Sequence, residues 1–181
     1  MQMFPESLAV ALRLYRDQWP TEAATVDLFS RFLDSHADVF QRWHAPGHLT
    51  GSAWLVSADG RRVLLTHHRK LDRWLQLGGH ADGDTDLARV ALREAEEESG
   101  LRGLQVEPAI FDLDRHRIPA RGDEPEHWHY DVRFVVRAGE GERFVVSRES
   151  KALAWRDIAD VADDASLDAS LRRMAHRWLS S

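Results

Sequence analysis

Apolar positions recur along this chain first at helical and then at strand spacing. Leu8, Leu12, Tyr15 and Trp19 form one helical stripe, and Pro20 marks a break. Val26, Phe29, Leu33, Ala37 and Phe40 form a second, ending near Ala45-Pro46-Gly47. These stripes predict an N-terminal helical hairpin, residues 1–45, packed on the core or on a partner subunit. From His48 the period shortens. Residues 48–57 and 61–68 read as strands joined at Asp59-Gly60, a hairpin turn signal. A short segment, Trp74 to Leu77, leads into Gly78-Gly79. Residues 85–99 read as a helix stopped by Gly100. Strands follow at 109–118 and 127–137 around a polar turn at 119–126, then at 151–156. A final helix carries Leu167, Leu171, Met174, Trp178 and Leu179 on one face. Strands framing a helix, with helices at both ends, predict a layered α/β domain over residues 46–181. Internal repeats and low-complexity segments are absent from the sequence.

Composition narrows the class. At 43% hydrophobic and 30% charged residues, the chain has the make-up of a soluble globular domain. No apolar run approaches the roughly 20 residues that span a bilayer. The opening MQMFPESLAVALRLY lacks the parts of a secretory signal. Zero cysteines exclude disulfides and thiolate chemistry, and agree with a cytoplasmic setting. A net charge of −6 argues against general nucleic-acid binding. It still admits small anionic substrates, because a bound cation reverses the local field.

The segment LREAEEESG, residues 92–100, carries the first chemical signal. Glu94, Glu97 and Glu98 stand at i, i+3 and i+4, so their carboxylates leave one side of a helix. Ala88, Ala91, Leu92, Ala95 and Ser99 form a separate stripe of small or apolar residues. Like charges at this spacing repel by a few tenths of a kcal/mol per pair, about 0.2–0.5. A cation among them reverses that sign, and carboxylate oxygens suit hard divalent ions. By itself the spacing is equally that of a solvated acidic face, with Arg93 pairing Glu97.

Fixed spacing over a longer stretch decides between these readings. Residues Gly79 to Leu101, GHADGDTDLARVALREAEEESGL, resemble the Nudix box, G-x5-E-x7-R-E-U-x-E-E-x-G-U with U apolar. Gly79, Arg93, Glu94, Ala95, Glu97, Glu98, Gly100 and Leu101 stand at matching positions. Thr85 departs, occupying the place of a glutamate that supports the arginine in the family. Asp82, Asp84 and Asp86 are the candidates to supply that charge to Arg93.

The resemblance implies an α/β/α sandwich on a mixed sheet and cleavage of a phosphoanhydride bond in a nucleoside diphosphate linked to another group, by water attack on phosphorus. Glu94, Glu97 and Glu98 would hold Mg2+ or Mn2+, with the Gly79 carbonyl as a further ligand. Glu97 or Glu94 would act as base. Some relatives draw the base from a loop outside the box, and Glu149 is the candidate here. A catalytically weak nucleotide-binding module on the same fold is the alternative, given Thr85. A diphosphate isomerase ranks below both, for want of a cysteine. Pro119 is close to a proline found in ADP-ribose-type relatives, but the substrate stays open.

Ten histidines add a second signal. Along 127–134, Trp128, Tyr130, Val132 and Phe134 alternate with His127, His129, Asp131 and Arg133. The preceding strand carries Asp112, Asp114 and His116 on one side. Either this is a solvent-facing surface, or it lines a substrate cleft shared with Glu94 and Glu98. In the second case Arg133 and the protonated forms of His116, His127 and His129 would hold phosphate. A His/Asp group binding a second, softer metal is a further alternative. His80, beside Gly79, and Arg69, at the end of the second strand with His67, His68 and Lys70, complete the expected substrate set. Trp74 reads as core. The partners expected are a small diphosphate and a second copy bound through the N-terminal helices, with no membrane.

Overall fold

A computed structural model describes residues 7–139, 141–148 and 150–181. Helix α1 (Leu8–Gln18) is capped by Ser7 and ends at Trp19. A 3-10 turn at Pro20–Glu22 reverses the chain into α2 (Ala23–Leu33). The second stripe therefore outruns its helix: Ala37 and Phe40 lie in turns beyond it. The apolar faces of both helices, including Leu12, Tyr15, Val26 and Phe29, are buried in the same cluster as the sheet. Phe32 stacks on Tyr130 with ring centroids 3.7 Å apart. The hairpin thus packs on its own core.

Among the described residues seven strands follow: β1 (Gly47–Val56), β2 (Arg62–His68), β3 (Arg73–Leu75), β4 (Leu77–His80), β5 (Gln105–Ile118), β6 (His127–Arg137) and β7 (Ser150–Asp157). Helix α3 (Leu87–Ser99) lies between β4 and β5, and α4 (Ile158–Asp163) and α5 (Ala169–Leu179) close the chain. The turn at Asp59-Gly60 forms as expected, with Gly60 at φ 69°, a conformation that suits glycine. The hairpin itself is brief. Among the described residues β1 and β2 pair only at Val56–Val63; β2 pairs with β7 along its whole length and with β3 from Thr66 onward. β1 instead takes β4 antiparallel on one side and β6 parallel on the other. This is the mixed sheet that the resemblance implied.

Alternation along the strands sorts residues onto two faces. Leu49, Ala53, Leu55, Leu77, Tyr130, Val132 and Phe134 share a core with Ala88, Val90, Ala91 and Ala95 of α3. Trp54, Val56, Val63, Leu65 and Val135 lie in a second core with Val161, Leu171 and Met174 of α4 and α5. The sheet is therefore covered on both sides. Among the described residues no helix is long and apolar enough to cross a membrane.

Candidate active site: a glutamate helix against a diglycine strand

Helix α3 is set by its ends. The Asp86 side chain accepts from the Arg89 amide at 3.1 Å, and Gly100 terminates the helix at φ 70°. Its small-residue stripe lets it lie close to the sheet. A Cβ on Gly51 would stand 2.8 Å from the Leu87 carbonyl, so only glycine fits there. One turn before its C-terminus the glutamates meet β4. Glu98 is buried and accepts from the Gly78 amide at 2.8 Å. A Cβ on Gly79 would fall 2.5 Å from Glu94 Oε2, so the second glycine is what admits that carboxylate. Glu97 is exposed.

Arg93 is held beside them. Its guanidinium donates to the His80 carbonyl and to Glu94 Oε1, both at 3.0 Å. The carboxylates expected to replace the missing glutamate are engaged elsewhere. Asp82 forms a bidentate pair with Arg42, Asp84 one with Arg89, and Asp86 caps the helix. Thr85 is exposed. The hydrogen-bond partners of Arg93 are therefore Glu94 and a backbone carbonyl, while Asp82 and Asp84 supply negative charge near it, as expected, without bonding it.

The Gly78 amide points at Glu98, and in an antiparallel strand a residue's N–H and C=O leave on one side. The carbonyl on the Glu98 side of β4 is accordingly that of Gly78, not the Gly79 carbonyl named from the sequence.

The histidine face lies elsewhere than expected. His80 pairs with Thr50 and Gly79 with Gly51, so the two side-chain directions alternate across β4. Gly79 faces α3 and Glu94; His80 faces the opposite side, with His48, Thr50, Ser52, His129, Asp131 and Arg133. Strand alternation therefore puts these histidines and the glutamates on opposite faces of the sheet. They share no cleft wall, and the polar face is not a solvent surface either. His48, His127, Asp112, Asp131 and Arg133 are all buried.

Arg133 is 2% exposed and donates to Asp131 at 2.8 Å and Asp112 at 3.2 Å, with Asp114 at 3.4 Å. Asp131 also accepts from Thr50 and Ser52. Arg173 of α5 pairs with Asp112 and Asp114. Arg177 reaches Asp112, the Tyr15 hydroxyl and Glu22, tying α5 to the N-terminal hairpin. Arg133 is thus an interior cation committed to carboxylates, not the phosphate ligand expected. Burial works against the Asp114 charge, yet His116, Arg133 and Arg173 hold its carboxyl well below the usual range.

Burial pushes the His48 imidazole down to about 4 and lowers His129 further, so both are neutral near pH 7. A neutral His129 does not supply the charge that its expected phosphate contact needed. His116 bonds Asp114 at 3.1 Å. His127 bonds the Pro125 carbonyl. Arg69, exposed, donates to the carbonyls of Arg148 and Ser150, fastening the end of β2 to the start of β7. Glu149 itself lies outside the described residues. His48 was missed from sequence because its place beside His129 comes from parallel β1–β6 pairing across 81 residues, which no local pattern announces.

Comparison with known proteins agrees with this geometry. The family model for the NUDIX domain matches residues 32–178. A Mycobacterium tuberculosis protein named as an 8-oxo-dGTP diphosphatase is 30% identical over 126 residues, covering 64% of this chain and 55% of that protein. An m7GpppN-mRNA hydrolase of Xenopus laevis is 30% identical over 121 residues, covering 59% of this chain and 40% of that protein. The chain thus spans about half the length of the curated relatives it matches. A Caenorhabditis elegans Ap4A hydrolase structure superposes with a TM-score of 0.57 at 16% identity, over 73% of this chain and 95% of that one. With its box helix, diglycine strand and mixed sheet in place, the chain belongs to the Nudix family.

Proposed function

We propose that this chain is a metal-dependent hydrolase that cleaves a phosphoanhydride bond in a nucleoside diphosphate derivative, by water attack on phosphorus. The observation that carries this reading is the seating of Glu94 and Glu98 against Gly78 and Gly79, with Arg93 fixed beside them. This all-oxygen donor set fits Mg2+ or Mn2+. Glu94, Glu97 and Glu98 would hold it, with the Gly78 carbonyl as the backbone ligand. When bound, such an ion supplies charge for the developing phosphate oxygens and lowers the pKa of water.

The side chains divide the remaining work. Glu98 fixes the diglycine strand through the Gly78 amide. Arg93 holds Glu94 in place and offsets part of its charge. Exposed Glu97 is open to solvent and is the residue to take the proton from the attacking water, with Glu149 the alternative base. We treat residues 46–181 as the catalytic domain, 1–45 as a docked helical extension, and the setting as cytoplasmic. The apolar stripes of α1 and α2 are used within the chain, so the proposal does not include a dimer through them.

A release assay over nucleoside triphosphates, nucleotide sugars, ADP-ribose and dinucleoside polyphosphates, with Mg2+ or Mn2+, tests the activity. Turnover of at least one substrate is expected, reduced at least roughly tenfold in Glu97→Gln. Tight nucleotide binding with no turnover would instead favour the binding module.

A further inference from the structure

Behind the diglycine strand, on the face away from the glutamates, four histidines converge. Parallel register sets His48 of β1 beside His129 of β6. Antiparallel register sets His80 of β4 opposite Thr50, the next residue on the same face as His48. Ring centroids lie 4.8 Å apart for His48–His129, 5.0 Å for His48–His80 and 4.9 Å for His48–His127. One nitrogen from each of His48, His80 and His129 lies within 4.8 Å of the other two.

Two further observations point to an occupant. His48 is 1% exposed, and among the described residues neither of its ring nitrogens makes a regular hydrogen bond, the His44 carbonyl acting on the ring only weakly. Burying both polar atoms of an imidazole unsatisfied is unfavourable unless something else meets them. His127 donates Nδ1–H to the Pro125 carbonyl, 2.9 Å away, so that Nε2 is the nitrogen turned toward the other rings. That Nε2 is hydrogen-bonded to His129 Nε2 at 3.3 Å, a contact an ion between the two rings would replace. Two nitrogens each about 2.0–2.1 Å from a tetrahedral ion stand about 3.4 Å apart. A ligating histidine held through its other nitrogen by a carbonyl is the usual support of such a site.

We propose that His48, His80 and His129, with His127 as a fourth nitrogen, form a site for a borderline divalent transition ion such as Zn2+, separate from the glutamate site. Of the nearby carboxylates, Asp131 is committed to Thr50, Ser52 and Arg133, and Asp114 to His116, Arg133 and Arg173, while exposed Glu124 stands 3.9 Å from His127 Nε2 at the rim. An all-imidazole set suits Zn2+, Ni2+ or Cu2+, whereas Mg2+ takes oxygen ligands. The site has a route to the glutamates. The His80 carbonyl accepts from Arg93, which also bonds Glu94, so an ion on His80 would steady the strand end that carries Gly78 and Gly79.

The test is equilibrium dialysis of the full, chelator-stripped chain against Zn2+ in millimolar Mg2+, with Co2+ absorption as a second reading. One Zn2+ per chain is expected to be retained, with a visible Co2+ band of tetrahedral nitrogen type. Both should weaken at least roughly tenfold in His129→Asn and in His80→Asn, the latter at a half-buried position chosen to spare the fold, checked by circular dichroism. Glu98→Gln should retain the Zn2+. Failure to hold Zn2+ against Mg2+ overturns the proposal, as does Zn2+ lost with Glu98→Gln but kept in both histidine variants. Neither reading depends on hydrolysis, so the site and the proposed activity stand or fall separately.

Discussion

Glu94 reaches its place because position 79 has no side chain. A methyl group there would enter the space of the carboxylate, 2.5 Å from Oε2. Gly79→Ala should therefore lower kcat/KM at least roughly tenfold, the scale of misplacing a catalytic group, while the midpoint of thermal unfolding stays within a few degrees. Equal kcat/KM in the variant would contradict the placement. Arg133 makes the opposite kind of residue, a charge whose role is interior. Removing Asp112 leaves it buried with one partner fewer, and breaking such a pair typically costs about 3–5 kcal/mol. Urea unfolding of Asp112→Ala should show that loss, and a change under about 1 kcal/mol would contradict the network.

Asp114 adds a pH signature. Around it stand His116, Arg133 and Arg173, with the carboxylates of Asp112 and Asp131 on the same face and Asp168 at the start of α5. Its folded carboxyl titrates below its unfolded value. The stability it contributes is thus complete above about pH 4 and fades as pH falls through the folded value. The gap in stability between the wild type and Asp114→Asn should be flat near neutrality and close in acid; a gap independent of pH would refute this.

At the scale of elements, legibility followed locality. Helix α3 was readable because its cap, stripe and stop are all local: Asp86, the alanines and Gly100 lie within 15 residues. Removing the Asp86 cap by Asp86→Ala should cost about 1 kcal/mol in chemical unfolding, and no change would show the cap to be idle. The alternation of β6 was equally readable, yet which side of the sheet it addressed was not. Trp128 to Phe134 gives two faces; only pairing with β1 shows that the polar one is buried under α5 rather than open beside α3. The β1–β2 turn was likewise legible, whereas the departure of β2 after Val63 was not. The free edge of β1 is claimed by β4, whose residues pair with partners 24 to 30 positions earlier in the sequence.

Across the whole molecule, the sheet separates two polar chemistries that the sequence interleaves. Gly79 and His80 are neighbours, yet one meets the glutamate helix and the other the histidine face. The fold class and glutamate helix were legible because the box motif fixes residues over a short span. The histidine site was not, because three strands and a parallel pairing must assemble before His48 meets His80 and His129. The same assembly joins α5 and the N-terminal hairpin through Arg177, Tyr15 and Glu22, so the extension docks on the domain it precedes.

The central claim is that the carboxylates on α3 hold a hard divalent ion for phosphoanhydride cleavage. Its most direct test is the rate of diphosphate hydrolysis as a function of Mg2+ concentration, in the wild type and in Glu98→Gln. We expect activity to vanish without the ion, and the variant to need at least roughly tenfold more Mg2+ for half its maximal rate. Hydrolysis unaffected by chelation, or the same Mg2+ dependence in both proteins, would contradict it.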